Sequence, residues 1–228
     1  MITTCIFDAY GTLFDVAAAA REAAAKPGGE MLKACWSALA ADWRAKQLEY
    51  SWQRAITGDH KDFWAVTEDG LDWAMEARGL APDPDLRAEL LGLYRQLSAY
   101  EEVPAMLKAL KARGLTTGIL SNGSPEMLKS AVKSAGIGDA LDDVLSVEAV
   151  GIFKPANAVY QMVMDRFGGE RSDVLFVSSN GWDAAGAARF GFTTVWVNRA
   201  STPMDRLGHP PTHVLADLTA LPDLIVTA

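Results

Sequence analysis

The sequence predicts an α/β protein, a doubly wound parallel sheet into which a helical cap subdomain is inserted. From residue 103 onward, short apolar runs alternate with helix-length segments. Strands separated by helices of that length require right-handed crossovers within a parallel sheet. A first strand near the N-terminus is separated from this alternating part by a long stretch of helical character. We therefore expect residues 1–14 and 99–228 to form the core domain and residues 15–98 to form the cap.

Length and composition fit one sizeable domain, or a domain with a large insertion. The chain has 228 residues, of which 50% are hydrophobic, so a normal core is easily buried. Its 21 basic residues against 29 acidic ones give a net charge of -8. This balance argues against nucleic acid or an anionic membrane surface as a partner, because both require clustered basic residues. An anionic small molecule stays open as a ligand wherever a few basic residues converge.

Cysteine use and hydropathy predict a cytoplasmic protein. The two cysteines, Cys5 and Cys35, each lie within an apolar run, which is typical of core thiols in a reducing compartment. Residues 1–7 lack the basic flank and the long apolar run of a signal peptide, and no apolar run is long enough to span a bilayer. We therefore expect neither a signal peptide nor a membrane span.

Residues 16–98 are expected to be helical throughout. After an Ala-rich helix that ends at residues 26–29, apolar residues at near-helical spacing predict one long helix over residues 30–57, stopped by Gly58. Residues 62–78 predict a second long helix. Pro84 then opens a third helix that extends to about residue 97.

The remainder of the chain predicts the strands of the sheet and the helices between them. The first strand, residues 5–7, is followed by strands at residues 116–120, 144–147, 174–178, 193–197 and 213–215. Helices are expected at residues 104–113, 125–135, 182–190 and 218–228, and from Pro155 to residue 167. Ser124 before Pro125 is typical of a helix N-cap followed by a first helical turn.

Polar side chains follow several of these strands where each one ends. Asp8 closes the first strand before a turn at Gly11, Ser121 and Asn122 end the next, and residues 178–180 end another with Ser-Ser-Asn. Any one of them alone is most often a turn residue or a helix cap. In a parallel sheet, however, strand ends meet at one edge, which is where ligands bind. Their convergence therefore predicts a ligand site.

Lys154 and Asp183 extend this predicted site. An isolated Lys154 would belong to the solvated surface, but beside Asp8 its positive charge would keep that carboxylate ionised. An ionised carboxylate facing an anion-binding pocket is a candidate nucleophile. Asp183 lies in the first turn of a predicted helix, where it either complements the helix dipole or belongs to the site.

Five segments carry a resemblance to a known family. They are FDAYGTLFD at residues 7–15, WRAKQLEYSW at 43–52, LSNGSP at 120–125, FKP at 153–155 with Tyr160 downstream, and FVSSNGWD at 176–183. Together they resemble the haloacid dehalogenase superfamily and, within it, the L-2-haloacid dehalogenases. The resemblance implies a Rossmann-like core with a helical cap, and it implies that residues within the matched motifs form the site.

The resemblance implies three sets of site residues. The catalytic set comprises the nucleophile Asp8 with Thr12, Lys154, Tyr160, Ser178, Asn180 and Asp183. The halide is expected to contact Arg44, Asn122 and Trp182, and the rest of the substrate Tyr10, Ser121, Leu48 and Phe63. Within the catalytic set, Thr12 and Ser178 should hydrogen-bond around Asp8, Tyr160 should orient Lys154, and Asp183 is the candidate base for the hydrolytic water.

Two departures separate this chain from the phosphatases of the superfamily. Those enzymes carry a second Asp two residues after the nucleophile to protonate a leaving alkoxide, and here that position is Tyr10. They also hold Mg²⁺ with acidic residues at positions where this chain has Ser179 and Asn180. A halide leaves without a proton, so both departures favour dehalogenation, with no metal and no cofactor.

The resemblance thus implies an (S)-2-haloacid dehalogenase, a hydrolase acting on carbon–halide bonds. It would release halide from short-chain L-2-haloalkanoic acids through an aspartyl ester and give (R)-2-hydroxy acids, and by analogy with the family we expect a homodimer. Two alternatives stay open: a phosphatase or phosphonate hydrolase of the same superfamily, and a non-catalytic 2-haloacid-binding protein. Ala45 stands where relatives often have Gln, which affects the pocket. His60, His209 and His213 receive no role.

Overall fold

The computed structural model describes residues 1–26 and 30–225, and its centre is a six-stranded parallel sheet. The strands are β1 (Thr4–Phe7), β2 (Thr116–Ser121), β3 (Asp143–Ser146), β4 (Val174–Ser178), β5 (Thr193–Val197) and β6 (His213–Leu215). Their order is β3-β2-β1-β4-β5-β6, which is the order of a doubly wound Rossmann fold. The predicted fold class is confirmed.

The position of β1 at the centre of the sheet determines where a site can form. Its neighbours are β2 on one side and β4 on the other, so the strand order reverses beside it. Ligands bind at such a reversal, outside the carboxyl ends of the strands. Phe7, the last residue of β1, pairs with Ile119 and Val177. The residue after Phe7 therefore emerges at the edge where the ends of the neighbouring strands also lie.

The strands are apolar because the sheet is covered on both faces. Each of Cys5, Ile6 and Phe7 is fully buried, as expected for a central strand of a parallel sheet, whose two faces both pack against other elements. This is why the short apolar runs predicted the strands closely.

Helices connect the strands and form the insertion. They are α1 (Ala18–Ala25), α2 (Glu30–Lys33), α3 (Trp36–Thr57), α4 (Phe63–Ala77), α5 (Pro84–Tyr94), α6 (Val103–Ala112), α7 (Pro125–Ala135), α8 (Asn157–Phe167) and α9 (Gly181–Phe190). Helices α1 to α5 lie in the sequence between β1 and β2, within the range predicted for the cap. Among residues 1–26 and 30–225, no helix combines the length and the apolarity needed to cross a bilayer.

The prediction of one long helix over residues 30–57 is wrong. Helix α2 ends at Lys33 and α3 begins at Trp36, with Cys35 between them at φ −134° and ψ 1°. Helix α2, which carries the buried Leu32, packs against α1, while α3 extends along α4. Near-helical spacing continued through the break, so periodicity alone could not reveal it.

Several ends also differ from the predictions. Helix α5 ends at Tyr94 rather than near residue 97, and Ser124 makes no side-chain capping hydrogen bond to α7. The predicted helix over residues 218–228 is a short 3₁₀ helix, Leu221–Leu224. Residues 226–228 lie outside the described residues, as do residues 27–29, where the Ala-rich helix was predicted to end.

The segment in which the chain leaves the core and the segment in which it returns lie next to each other. Phe14 and Ala99 form an antiparallel bridge, and the Tyr100 N–H donates to the Leu13 carbonyl oxygen at 3.0 Å. Arg199, just after β5, donates from Nη2 to the Thr12 carbonyl oxygen at 3.0 Å. Its guanidinium also lies 3.7 Å from the centre of the Tyr100 ring. The two connections to the insertion are thus paired with each other and held by the core.

Two glycine-to-alanine substitutions should change stability in opposite directions. A Cβ at Gly186 in α9 would lie 2.6 Å from the hydroxyl of the buried Tyr160 and 2.8 Å from Cβ of the partly buried Pro155. Gly186→Ala should therefore lower the free energy of unfolding by about 1–3 kcal/mol. A Cβ at Gly92, on the exposed side of α5, meets nothing within 4 Å. Gly92→Ala should raise the free energy of unfolding by up to about 1 kcal/mol.

Urea denaturation of both variants beside the unaltered protein measures these changes. A Gly186→Ala protein as stable as Gly92→Ala would contradict the tight packing of α9 against Tyr160.

Candidate active site

Asp8 stands at the carboxyl end of β1 with donors to both of its carboxylate oxygens. Its Oδ1 accepts from Lys154 Nζ at 3.1 Å. Its Oδ2 accepts from Thr12 Oγ1 at 2.9 Å and from Asn180 Nδ2 at 3.1 Å. Only 6% of Asp8 is exposed. The carboxylate is therefore fixed in orientation by groups from three separate parts of the chain.

The turn after Asp8 exists because glycine occupies position 11. Gly11 adopts φ +88°, in the region that other residues rarely enter. Its N–H donates to the Phe14 carbonyl oxygen at 2.7 Å, and the N–H groups of Leu13 and Phe14 return to the Ala9 carbonyl oxygen. This tight turn brings Thr12 back against Asp8.

Lys154 lies buried between two carboxylates. Its Nζ is 3.1 Å from Asp8 Oδ1 and 2.9 Å from Asp183 Oδ2, and the residue is 1% exposed. Burial by itself lowers the pKa of Lys154, but the neighbouring Asp183 and Asp8 carboxylates outweigh it, and the pKa lies above its usual value. The ammonium group therefore stays charged in the interior.

Asp183 lies behind Lys154 and is completely buried. Its Oδ1 accepts from the Tyr160 hydroxyl at 2.8 Å. Burial raises the pKa of Asp183, against the opposing effect of the Lys154 charge. Burial also raises the pKa of Tyr160 well above its usual value, so Tyr160 remains a neutral donor. Tyr160 and Lys154 both hydrogen-bond to Asp183, so an orienting effect of Tyr160 on Lys154, which stays a prediction, would act through that carboxylate.

A small, nearly filled cavity lies above Asp8, with only about 10 Å³ accessible to the centre of a water-sized sphere. Sequence reasoning had selected every residue that lines it. These residues are Asp8, Tyr10, Arg44, Leu48, Phe63, Ser121, Asn122, Lys154, Asn180 and Trp182. The remaining selected residues, Thr12, Tyr160, Ser178 and Asp183, lie outside this lining. Thr12, Ser178 and Asp183 hydrogen-bond to lining residues from behind, and Tyr160 hydrogen-bonds to Asp183.

The insertion supplies a positive charge to this cavity. Arg44 of α3 reaches across to the core, where its Nη2 donates to the Tyr10 carbonyl oxygen and to Asn180 Oδ1, both at 3.3 Å. Trp182 packs edge-to-face on Trp52 of α3, with ring centres 5.3 Å apart. Among the residues that the structure describes, the buried Trp182 Nε1–H has no acceptor. A guanidinium and an indole N–H thus border the same cavity, as a site for an anion requires.

Two of the predicted contacts differ in the structure. Ser178 was expected to hydrogen-bond to Asp8, but its Oγ accepts from the Asn180 N–H at 3.1 Å, because a serine before a turn commonly bonds its own backbone. Ser121 Oγ likewise accepts from the Gly123 N–H at 3.1 Å. Asn122 Oδ1 accepts from the Lys154 N–H at 3.0 Å, which ties two cavity segments together.

Comparison with known proteins identifies the family. A family model described as haloacid dehalogenase-like hydrolase matches residues 2–191. The (S)-2-haloacid dehalogenase 1 of Pseudomonas sp. (strain CBS-3) is 45% identical over 99% of this chain and 97% of its own. The (S)-2-haloacid dehalogenase of Pseudomonas sp. (strain YL) is 42% identical over 97% of this chain and 94% of its own. The chain belongs to the haloacid dehalogenase superfamily, in its L-2-haloacid dehalogenase family.

Solved structures agree with this family assignment. The structure of L-2-haloacid dehalogenase from Xanthobacter autotrophicus with chloropropionic acid covalently bound matches with a TM-score of 0.87 and 37% identity, covering 98% of each chain. A structure described only as a dehalogenase matches with a TM-score of 0.94 and 39% identity over all of this chain and 98% of that one. The resemblance inferred from the motifs is confirmed, and the protein is a hydrolase of carbon–halide bonds.

The donor set of this dehalogenase site is that of a hydrogen-bonding site rather than a metal centre. Both Asp8 oxygens accept from N–H and O–H donors, and the nearest further carboxylate, Asp183, is paired with Lys154 and Tyr160. Within the described part of the chain, no group of three or more His, Cys, Asp or Glu side chains is arranged to hold a metal ion.

Sequence reasoning missed Tyr94, which supports the cavity wall of the dehalogenase from α5. Its ring stacks on Tyr10 with ring centres 5.7 Å apart and planes at 14°. Gln47 Nε2 donates to its hydroxyl oxygen at 3.2 Å. No local motif surrounds Tyr94, so only the tertiary structure reveals this contact.

Removal of the Lys154 charge should cost far more stability than removal of a surface lysine. Lys154→Met would leave Asp8 and Asp183 as adjacent buried carboxylates, and breaking a buried pair costs about 3–5 kcal/mol. The matched control Lys111→Met removes an ammonium 2.7 Å from Asp142, partly exposed on the surface. That loss should be about 0–1 kcal/mol.

The loss of unfolding free energy in Lys154→Met should also depend on pH. Without the cation, the pKa of Asp183 in the folded protein rises further above its unfolded value, so the folded state binds more protons than the unfolded state. In Lys154→Met, protonation of Asp183 therefore stabilises the folded state at low pH, and this stabilisation is lost as the pH rises through the pKa of Asp183 in the folded protein. The gap in unfolding free energy from the unaltered protein should therefore narrow as pH falls. Equal, pH-independent losses in both lysine variants would contradict the buried charge arrangement.

Proposed function

We propose that this protein is a hydrolytic (S)-2-haloacid dehalogenase that converts short-chain L-2-haloalkanoic acids into (R)-2-hydroxy acids. The observation that carries the proposal is the arrangement of Asp8 and Arg44 around one small cavity. A fixed carboxylate borders it from the core, and a guanidinium from the insertion borders it together with a free indole N–H. These are the groups that displacement of a halide by a carboxylate needs.

The first step is an attack by an Asp8 carboxylate oxygen on C2 of the substrate. A bond forms between that oxygen and C2, and the halide leaves from the opposite side with the bonding electron pair. Arg44, Asn122 and the Trp182 N–H receive the halide, since donors held in place by the protein stabilise developing negative charge without reorganisation. The product of this step is an ester of Asp8, with inverted configuration at C2.

The second step is hydrolysis of that ester. Water attacks the carboxyl carbon of Asp8 and the acyl C–O bond breaks, which releases the 2-hydroxy acid and restores the carboxylate. Asp183 remains our candidate for the base, and its hydrogen bond to Lys154 supports a role in positioning that ammonium group. Thr12, Asn180 and Lys154 donate to the carboxylate and limit its movement between the two steps.

The rest of the substrate is assigned to the other lining residues. Ser121 and the backbone N–H groups near Tyr10 and Asn122 would bind the substrate carboxylate, while Leu48 and Phe63 would contact its short alkyl chain. Tyr10 occupies the position of the acid that phosphatases of the superfamily use, and burial raises its pKa well above the usual value. A halide needs no such acid. No cofactor or metal enters the proposal.

Assembly, division into domains and location complete the proposal. We place residues 15–98 in a cap over the core, residues 1–14 and 99–228, because Arg44 and Phe63 border the cavity from that side. A homodimer is supported by Ile56 and Trp73, large apolar residues exposed on α3 and α4. The cytoplasm is supported by the free thiols of Cys5 and Cys35.

A single turnover in ¹⁸O-water tests the ester mechanism. With enzyme in excess over (S)-2-chloropropionate, the solvent oxygen should enter Asp8 and leave the first product mostly unlabelled, because water attacks the carboxyl carbon. Mass spectrometry of the product and of the peptide containing Asp8 measures this. Asp8→Asn, which cannot form the ester, is the control and should release essentially no halide. Labelled product in the first turnover would contradict the mechanism.

Arg44→Ala should slow halide release by a factor on the order of 10²–10³ if Arg44 acts as a preorganised donor to the leaving anion. The loss should be greater for chloride than for bromide, because chloride is the poorer leaving group. Arg54→Ala is a matched control on the same helix, since Arg54 pairs with Asp59 away from the cavity. Halide release from 2-chloro- and 2-bromopropionate measures both variants, and equal rates in the two would return Arg44 to a structural role.

A further inference from the structure

We propose that Glu148 is a positioning residue that latches the insertion onto the core and so keeps the cavity wall at Phe63 closed. Glu148 lies in a short 3₁₀ helix, Val147–Ala149, that follows β3. Its carboxylate makes two contacts with the segment that joins α3 to α4. Oε2 is 2.9 Å from His60 Nε2, and Oε1 accepts from the Phe63 N–H at 3.1 Å.

The Phe63 N–H is a group that needs such a partner. It is the first N–H of α4, and the first N–H groups of a helix have no acceptor within it. Asp62 accepts from the next two, those of Trp64 and Ala65, at 2.9 and 3.1 Å. Glu148 therefore completes the capping of α4 from the core, where the positive end of the helix dipole favours a carboxylate.

The segment that Glu148 holds includes a residue of the cavity wall. Phe63 lines the cavity and is 1% exposed, so its position defines part of the cavity wall. The rings of His60 and Phe63 both pack on Phe153, with centres 4.8 and 5.9 Å from that ring. Phe153 directly precedes Lys154. The segment that Glu148 holds thus packs against the residue next to the buried ammonium.

Glu148 is itself held by the loop that borders the cavity. The Glu148 N–H donates to Ser146 Oγ at 3.2 Å, and Ser146 Oγ donates to the Gly123 carbonyl oxygen at 2.7 Å. The Gly123 N–H in turn donates to Ser121 Oγ. A continuous series of hydrogen bonds therefore connects the loop assigned to the substrate carboxylate with the base of the latch. We infer that binding in the cavity and closure of the insertion stabilise each other.

Loss of the contacts made by Glu148 should raise KM for the substrate more than it lowers kcat. If the closed arrangement is populated less, the apparent affinity falls by that fraction, while the chemistry of the closed complex is unchanged. The removed acceptor is worth about 1.4 kcal/mol, or about tenfold in an equilibrium constant, which is within the usual range for the net contribution of a hydrogen bond. For this kinetic consequence the inference rests on the proposed function.

Amide hydrogen exchange, followed by NMR, tests the latch without reference to activity. In Glu148→Ala, exchange of the Phe63 N–H should accelerate about tenfold. Exchange of the Trp64 N–H should stay unchanged, because Asp62 still accepts from it. Glu148→Gln keeps an oxygen acceptor and should restore most of the protection at Phe63. If Glu148→Ala does not fold, His60→Ala tests the other half of the latch and should give an acceleration of about threefold.

Kinetics with (S)-2-chloropropionate test the consequence for the reaction. Glu148→Ala should raise KM by up to about tenfold with kcat changed less than about twofold. Glu126→Ala removes the same charge from an exposed position in the first turn of α7 and should leave both constants unchanged. A purely structural role would lower the unfolding midpoint without this split.

The results that would overturn the role of Glu148 differ from the result that would overturn the proposed function. Unchanged exchange at Phe63, exchange accelerated equally in every helix, or an unchanged KM in folded Glu148→Ala would overturn the latch. If the unaltered protein releases no halide from 2-haloacids, the proposed function fails, and the exchange at Phe63 alone then decides the latch.

Discussion

The site depends on one buried ammonium group, that of Lys154, lying between the carboxylates of Asp8 and Asp183 at 3.1 and 2.9 Å. Two carboxylates this close in the interior would repel each other, and each would carry a large desolvation cost without a cation. The ammonium offsets both effects. It also links the end of β1 with the first turn of α9, so the geometry of the nucleophile and the packing of the core share one interaction.

This interaction explains how the fold and the chemistry are coupled. The reversal of strand order beside β1 creates a crevice, and the residue that follows β1 emerges in it. Charge in the crevice is balanced by Lys154 from the core, whereas Arg44 arrives from the insertion. The core thus provides a fixed carboxylate, and the insertion provides a second positive charge on the side where an anion would leave. Neither part alone forms the cavity.

Much of this arrangement could be predicted from local sequence. Strands β4, β5 and β6 were placed with their exact ends. For β4 and β5 the reason is that apolar runs bounded by turns reflect burial on both faces of a sheet, whereas β6 is a partly exposed edge strand. Every residue that lines the cavity was also selected, and all of them except Phe63 lie within a matched motif at the sheet edge or on the matched helix. The roles assigned to these residues remain proposals.

The predictions that failed concern interactions set by tertiary packing. The break at Cys35 separates α2, which packs on α1, from α3, which packs on both α1 and α4, and the spacing of apolar residues carries no sign of it. Ser178 Oγ accepts from the Asn180 N–H within its own turn rather than bonding to Asp8, and the sequence alone cannot tell which of these two partners the hydroxyl takes. His60 received no role because its partner, Glu148, is 88 residues away in the chain.

The paired connections at Phe14 and Ala99 have a consequence for how such proteins diversify. Because the chain departs from and returns to the core at adjacent points, the segment between them closes a loop whose entropic cost grows only slowly with length. Recombination or insertion within residues 15–98 would therefore leave the sheet and its carboxylate intact. The architecture separates the nucleophile at the end of β1 from an inserted segment that is contiguous in the chain, so that new substrate ranges are accessible by replacing one stretch of the gene.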